Sequence, residues 1–187
     1  MVRKGIHLFV ALIPSFALIN KTFTLILLVC GICLYTICEI LTLKGVKVPL
    51  FYRIIGLANR ERDKGKFALG PVTLGAGAAL SILLFAPEAA FVAIYALAFG
   101  DGFASLAGRI MGRTRPAFLM GKSVEGSLAC FLTVYLSALH VSHNWLFSLT
   151  VTVTATVVEA LPLKDWDNII IPLSAGYIAS VFPSMLI

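Results

Sequence analysis

Apolar residues run along this chain in long stretches, without the alternation of a half-buried strand or the narrow stripe of a surface helix. A helix needs about 17–25 such residues to cross a bilayer. Seven stretches fit, at residues 5–20, 22–43, 69–86, 88–108, 125–142, 144–160 and 168–186, the first and sixth being short. The expected fold is all-α, a polytopic membrane helical bundle of about seven transmembrane helices. Residues 1–187 read as a single domain, with no room left for a separate soluble one. Local signals agree with these spans. Pro14 interrupts the first run, Gly70-Pro71 opens the third with proline in a first-turn position, and Ser123 is an N-cap for the fifth. Asp167 or Asn168 is expected to cap the last. Thr150, Thr152, Thr154 and Thr156 alternate as in a strand, but a lone strand leaves its backbone unsatisfied in lipid, so helix is expected there too.

Composition strengthens this reading. Hydrophobic residues make up 59% of the chain and the mean hydropathy is +0.97, which excludes an ordinary soluble domain. Charge then sets orientation, because cytoplasmic loops retain Lys and Arg. With the amino terminus cytoplasmic, fourteen of the fifteen basic residues fall on that side and only Lys21 falls outside. The net charge of +6 is thus a topological signal, and no nucleic acid is expected as a partner. Residues 49–60, with Leu50, Phe51, Ile54, Ile55 and Leu57 beside Arg53 and Arg60, read equally as an amphipathic interfacial element or a basic loop near lipid. Cys30 and Cys33 sit in an apolar run without a second ligand pair and read as small apolar residues.

Five of the nine acidic residues, Asp101, Glu125, Glu159, Asp165 and Asp167, lie on or near the cytoplasmic face. A carboxylate inside a membrane segment is costly and marks a functional site by default. On a helix over 101–112, Asp101, Ala104, Ser105, Gly108 and Gly112 share one face of little bulk. A phosphate chain with a metal ion fits close against such a backbone, and so does a neighbouring helix in a small-residue seam. Packing alone leaves Asp101, Lys122 and Glu125 unexplained. Gly100 and Gly102 are expected to break the helix at Asp101, about 20 Å in from Glu88. Residues 113–120 form a basic spacer and a lid candidate. Gly121-Lys122-Ser123 looks like the end of a Walker loop, but the first glycine of that motif would fall at Pro116. What remains is Lys122 beside the positive end of the helix that Ser123 starts. Arg3, Lys4 and His7 cluster at the cytoplasmic entrance of the first span. Glu39 requires a cation or a metal as partner, and Glu159 and Asp167 flank one short turn, as a shared metal site would require. His140 and His143 lack a third ligand and read as a polar turn.

The pattern D-x-x-A-x-x-x-G-x-x-x-G, an eight-residue spacer, and K-K-S/T-x-E-G resembles the CTP-binding signature of the polyprenol kinase family. That family includes dolichol kinase, phytol kinase and the CTP-dependent diacylglycerol kinase. Asp101, Ala104, Gly108 and Gly112 match, followed in register by Lys122, Ser123, Glu125 and Gly126, while Gly121 departs from the first lysine. Arg3-Lys4-x-x-His7, Arg60-Glu61, and Glu159 with Asp167-Asn168 are similar to further elements of the family. The resemblance implies transfer of the γ-phosphate of CTP, with Mg²⁺, to the hydroxyl of a membrane lipid alcohol at the cytoplasmic face of the bilayer. It implies Asp101, Glu159 and Asp167 as metal ligands with Glu125 as a further candidate. Lys122, Ser123, Gly126, Ser105, Arg3, Lys4, Arg60 and Asn168 join the signature residues around the nucleotide. Asp101, Glu159 and His7 are alternatives for the general base, and Lys122 stabilises charge. A diacylglycerol acceptor, a phosphatidate cytidylyltransferase and a small transporter are the competing readings.

Overall fold

The computed structural model describes residues 2–46 and 65–182 and is helical throughout, with no strand among those residues. The first run forms two short helices, α1 (Val2–Val10) and α2 (Ile13–Ile19). Pro14 cannot donate to Val10, so the chain turns at Ala11 and Leu12, and the proline falls in the first turn of α2. Asn20 ends α2 and caps α3 (Lys21–Leu43), its side chain accepting the Phe23 N–H at 2.9 Å. Then follow α4 (Gly70–Leu84) and α5 (Pro87–Tyr95). The latter passes through a π-turn (Ala96–Asp101) into α6 (Gly102–Ile110). After a 3₁₀ turn at Ala117–Leu119 come α7 (Val124–Ser142), α8 (Trp145–Ala160) and α9 (Asp167–Val181).

Each expected span therefore has its helix. Three continuous segments, Lys21–Leu43, Pro87–Ile110 and Val124–Ser142, are long and apolar enough to cross a membrane, and shorter apolar helices accompany them. The protein is a helical membrane bundle. The expected break at Gly100 and Gly102 is absent: the helix continues by widening into the π-turn, and Asp101 remains buried within it. The expected cap of the last helix also differs. Trp166 occupies the N-cap, Asp167 accepts the Asn168 N–H, and the Asn168 amide turns inward to the Gly70 carbonyl and Thr73 hydroxyl of α4.

The segment from α5 to α6 runs through the middle of the bundle. One apolar core joins its Val92, Ala96 and Ala104 to Val134 of α7, Phe147 and Val151 of α8, and Ile171 and Ala175 of α9. A second joins its Ile94, Leu97 and Ala98 to Val10, and to Leu74, Ala78 and Ile82 of α4. Dispersion and close backbone approach, rather than exclusion of water, drive such packing in lipid. Small residues therefore occupy the contacts. Gly75 lies against Ile32, and a methyl on Gly77 would collide with the Asn168 carbonyl. Thus α4 packs chiefly on α3 and α9, and less closely on the helix bearing Asp101.

Candidate active site

Ser123 begins α7 by accepting the Gly126 N–H at 3.1 Å, which points the positive end of this helix at the C-terminal half of α6. The two helices can approach because neither carries bulk where they cross. A Cβ on Gly112 would stand 2.8 Å from Ser123 Oγ, and one on Gly126 would stand 2.8 Å from the Ala104 carbonyl. The packing reading of the small-residue face therefore holds where these helices cross. Gly112 belongs to the packing seam, while Ala104, Ser105, Gly108 and Gly126 also line a cavity of about 400 Å³.

Three carboxylates, Asp101, Glu159 and Asp167, share this cavity with four cations, Arg109, Arg115, Lys122 and Lys164. Asp101 is buried at the end of the π-turn, and His7 Nδ1 from α1 lies 3.3 Å from its Oδ2. Lys122 Nζ is 3.0 Å from Glu159 Oε1 and also donates to the Glu159 carbonyl, while the Ser127 hydroxyl donates to Glu159 Oε2 at 3.3 Å. Glu159 is thereby neutralised. Asp167 differs: burial opposes its charge most, the Asp101 carboxylate opposes it further, and Lys122 relieves it only in part. Two carboxylates repelling each other in one cavity suit a divalent cation, and Mg²⁺ takes one or two carboxylates with the rest of its shell from water and phosphate. Among the described residues no three acidic, His or Cys side chains are gathered as a complete protein cage.

The spacer expected as a lid is tied at its neck. Arg115 donates to the carbonyls of Gly108 at 2.9 Å and Gly121 at 2.6 Å, placing a cation over the negative end of α6. Thr114 accepts the Val124 N–H, and Glu125 accepts the N–H groups of Arg113 and Thr114. Glu125 therefore braces this loop and does not line the cavity. Gly121, where the chain departs from the family pattern, has φ +95°, a conformation that glycine alone adopts at little cost. Lysine there would be strained, and Arg115 supplies the cavity with a cation from six residues upstream. Sequence reasoning did not single out Arg109, Arg115 and Lys164, which line the cavity, or Ser127, which bonds to Glu159. For Arg115 the signal was present in the unusual glycine beside Lys122.

Other expected residues fall elsewhere. Asn168 joins α9 to α4 and does not line the cavity, and Glu39 is buried where its carboxylate accepts the Ala68 N–H at 3.3 Å. Arg60, Glu61 and the interfacial element at 49–60 lie outside the described residues, as do the side chains of Arg3 and Lys4. His143 closes α7 at φ +51°.

The candidate site is thus a charged, carboxylate-bearing cavity at one end of the central helix of a membrane bundle. The chain is 31% identical over 140 residues to an uncharacterized protein of Methanocaldococcus jannaschii, covering 72% of this chain and 68% of that one. It is 30% identical over 152 residues to the chloroplastic phytol kinase 1 of Arabidopsis thaliana, covering 72% and 50%. A probable chloroplastic phytol kinase of Triticum aestivum matches at 30% over 144 residues, covering 67% and 48%. The chain belongs to the polyprenol and phytol kinase family. It spans about half the length of the phytol kinases it matches. No family model matches the chain, and no solved structure does.

Proposed function

We propose that the protein is a CTP-dependent lipid kinase that moves the γ-phosphate of CTP to the hydroxyl of a membrane isoprenoid alcohol, giving the lipid monophosphate and CDP. The observation that carries this reading is the convergence of Asp101, Glu159 and Asp167, from three separate helical segments, and of Lys122, from the loop before α7, on one cavity rich in cations. Family membership supports kinase chemistry, and the match of Asp101, Ala104, Gly108, Lys122, Ser123 and Gly126 to the CTP signature supports the donor. The basic residues concentrated at this end of the bundle support a cytoplasmic face.

In this mechanism Lys122, Arg115 and the positive end of α7 hold the phosphates, and the small face of α6 lets them lie against the backbone. Asp101 and Asp167 would hold Mg²⁺, with Glu159 beside them, and the bound ion would supply positive charge to offset that of the phosphates. The acceptor hydroxyl approaches at Asp101. Its oxygen forms the new O–P bond as the bond from the γ-phosphorus to the bridging oxygen breaks, and its proton passes to the Asp101–His7 pair. CDP leaves with the bridging oxygen. Fixed charges that stabilise the transferring phosphoryl group account for most of the rate gain expected of such a site.

The test is transfer of label from γ-labelled CTP or ATP to phytol, geranylgeraniol, dolichol and diacylglycerol by the purified protein in nanodiscs. Labelled prenyl phosphate with stoichiometric CDP is expected. Release of pyrophosphate with a CDP-lipid would assign the cavity to cytidylyl transfer, and absence of transfer from any nucleotide to any alcohol would end the kinase reading.

A further inference from the structure

The first turn of α9 is fastened to α4 through both ends of one residue, Asn168, which is 1% exposed. Its side-chain amide donates to the Thr73 hydroxyl at 2.9 Å and to the Gly70 carbonyl at 3.2 Å. Its own carbonyl is set free by Pro172. In an unbroken helix the N–H four residues on would donate to that oxygen, and proline has none to give. The oxygen instead packs against Gly77, where any Cβ would collide with it. Residues 70, 73 and 77 share one face of α4, so a single helix face grips the whole residue over three successive turns. Helix α4 is itself held at this end. The Tyr35 hydroxyl donates to the Ala68 carbonyl at 3.0 Å and Glu39 accepts the Ala68 N–H at 3.3 Å, pinning the approach to α4 onto α3.

Asp167 stands one residue before this anchor and lines the charged cavity. The chain on its other side restrains it little. Leu161, Pro162, Lys164 and Trp166 of the preceding turn are exposed, and Trp166 at the N-cap makes no side-chain capping bond. Asp167 Oδ1 accepts the Asn168 N–H at 2.9 Å, and among the described residues no other hydrogen bond holds this carboxylate. Asp101 is placed by a different device, the π-turn and the contact with His7. The separation of the two carboxylates therefore depends on what fixes the start of α9. Mg²⁺ demands near-octahedral geometry and accepts little error in that separation.

We propose that α4 fixes the metal-binding pose of Asp167 by gripping Asn168, which makes Asn168 and Thr73 positioning residues of the site. The inference rests on the kinase reading for the divalent ion at Asp101 and Asp167. It gives Asn168 a task that requires no contact with the nucleotide. Groups that hold a metal-binding carboxylate in place are typically worth about 10–100-fold in metal affinity.

Binding of Mn²⁺ alone to the purified protein in nanodiscs, followed by electron paramagnetic resonance, tests this without any turnover. Thr73→Val keeps the shape of the side chain and removes the hydroxyl; it should weaken Mn²⁺ binding about tenfold, and Thr73→Ser should restore it. Asn168→Ala should weaken it further, by up to about a hundredfold. Gly75→Val supplies the comparison, because it strains α4 against Ile32 of α3 without touching Asn168. It should lower thermal stability in detergent and leave Mn²⁺ affinity at the wild-type value. Wild-type Mn²⁺ affinity in folded Thr73→Val or Asn168→Ala protein, an equal loss in Gly75→Val, or no Mn²⁺ binding by the wild type would overturn the proposal. In the labelled-CTP assay, Thr73→Val should raise the Mg²⁺ concentration for half-maximal transfer about tenfold at an unchanged KM for the lipid alcohol. Weakened Mn²⁺ binding in Thr73→Val, in a protein that transfers phosphate to no alcohol, would support the anchor while ending the kinase reading. Phosphoryl transfer with a Mn²⁺ affinity indifferent to Thr73 and Asn168 would do the reverse.

Discussion

Two helices of nearly equal length have opposite fates in this bundle. The segment Lys21–Leu43 is the more apolar, yet only 17% of its central window is buried, whereas Pro87–Ile110 carries Asp101 and is 67% buried. In water the greasier helix goes inside. In lipid apolar side chains gain little by leaving the surface, so position is decided by small residues that permit close approach and by polar groups that need partners. The central helix has both, and α3 stays at the periphery with Ile26, Leu27, Leu34 and Ile37 exposed.

This contrast is broken most severely at the charges. Asp101→Asn and Lys122→Ala should each lower phosphoryl transfer by about 10²–10³ while elution and thermal unfolding in detergent stay near wild type. Wild-type turnover in either would remove that residue from the reaction. Packing comes next. Gly77→Val forces α4 away from the Asn168 carbonyl and should cost about 1–3 kcal/mol, read as lowered thermal stability in detergent. Ser123→Ala should cost about 1 kcal/mol through the lost cap, with a weaker effect on turnover than Lys122→Ala. The smallest effect belongs to the periphery: Gly31 of α3 has open space around it, and Gly31→Ala should stabilise by about 0.5–1 kcal/mol without changing activity.

The helices were legible because each is announced by local chemistry: a run of apolar residues, a proline at a start, a serine or asparagine at a cap. Pro71 and Ser123 sit where such signals put them, whereas Asn20, which caps α3, was not singled out beforehand. The main site residues were legible for a different reason, since Asp101, Lys122 and Glu159 are charges in places where lipid forbids idle ones. Geometry between helices was not. Nothing in the spacing of Gly108 and Gly112 tells that one lines the cavity and the other only touches Ser123. Asn168 carries no mark that its amide would turn toward Thr73 instead of capping its own helix. The π-turn was hidden because glycines on both sides of Asp101 suggest a break as readily as a widening.

That widened turn makes the centre of the protein sensitive to length as well as to chemistry. Each residue of a helix sets the phase of everything after it by about 100°. Deleting one residue between Ala96 and Gly100 would return the segment to an ordinary helix with no change in its polar groups. It would swing the Asp101 carboxylate away from His7. Codon-scale indels in this stretch should therefore be far less tolerated than substitutions at the same positions.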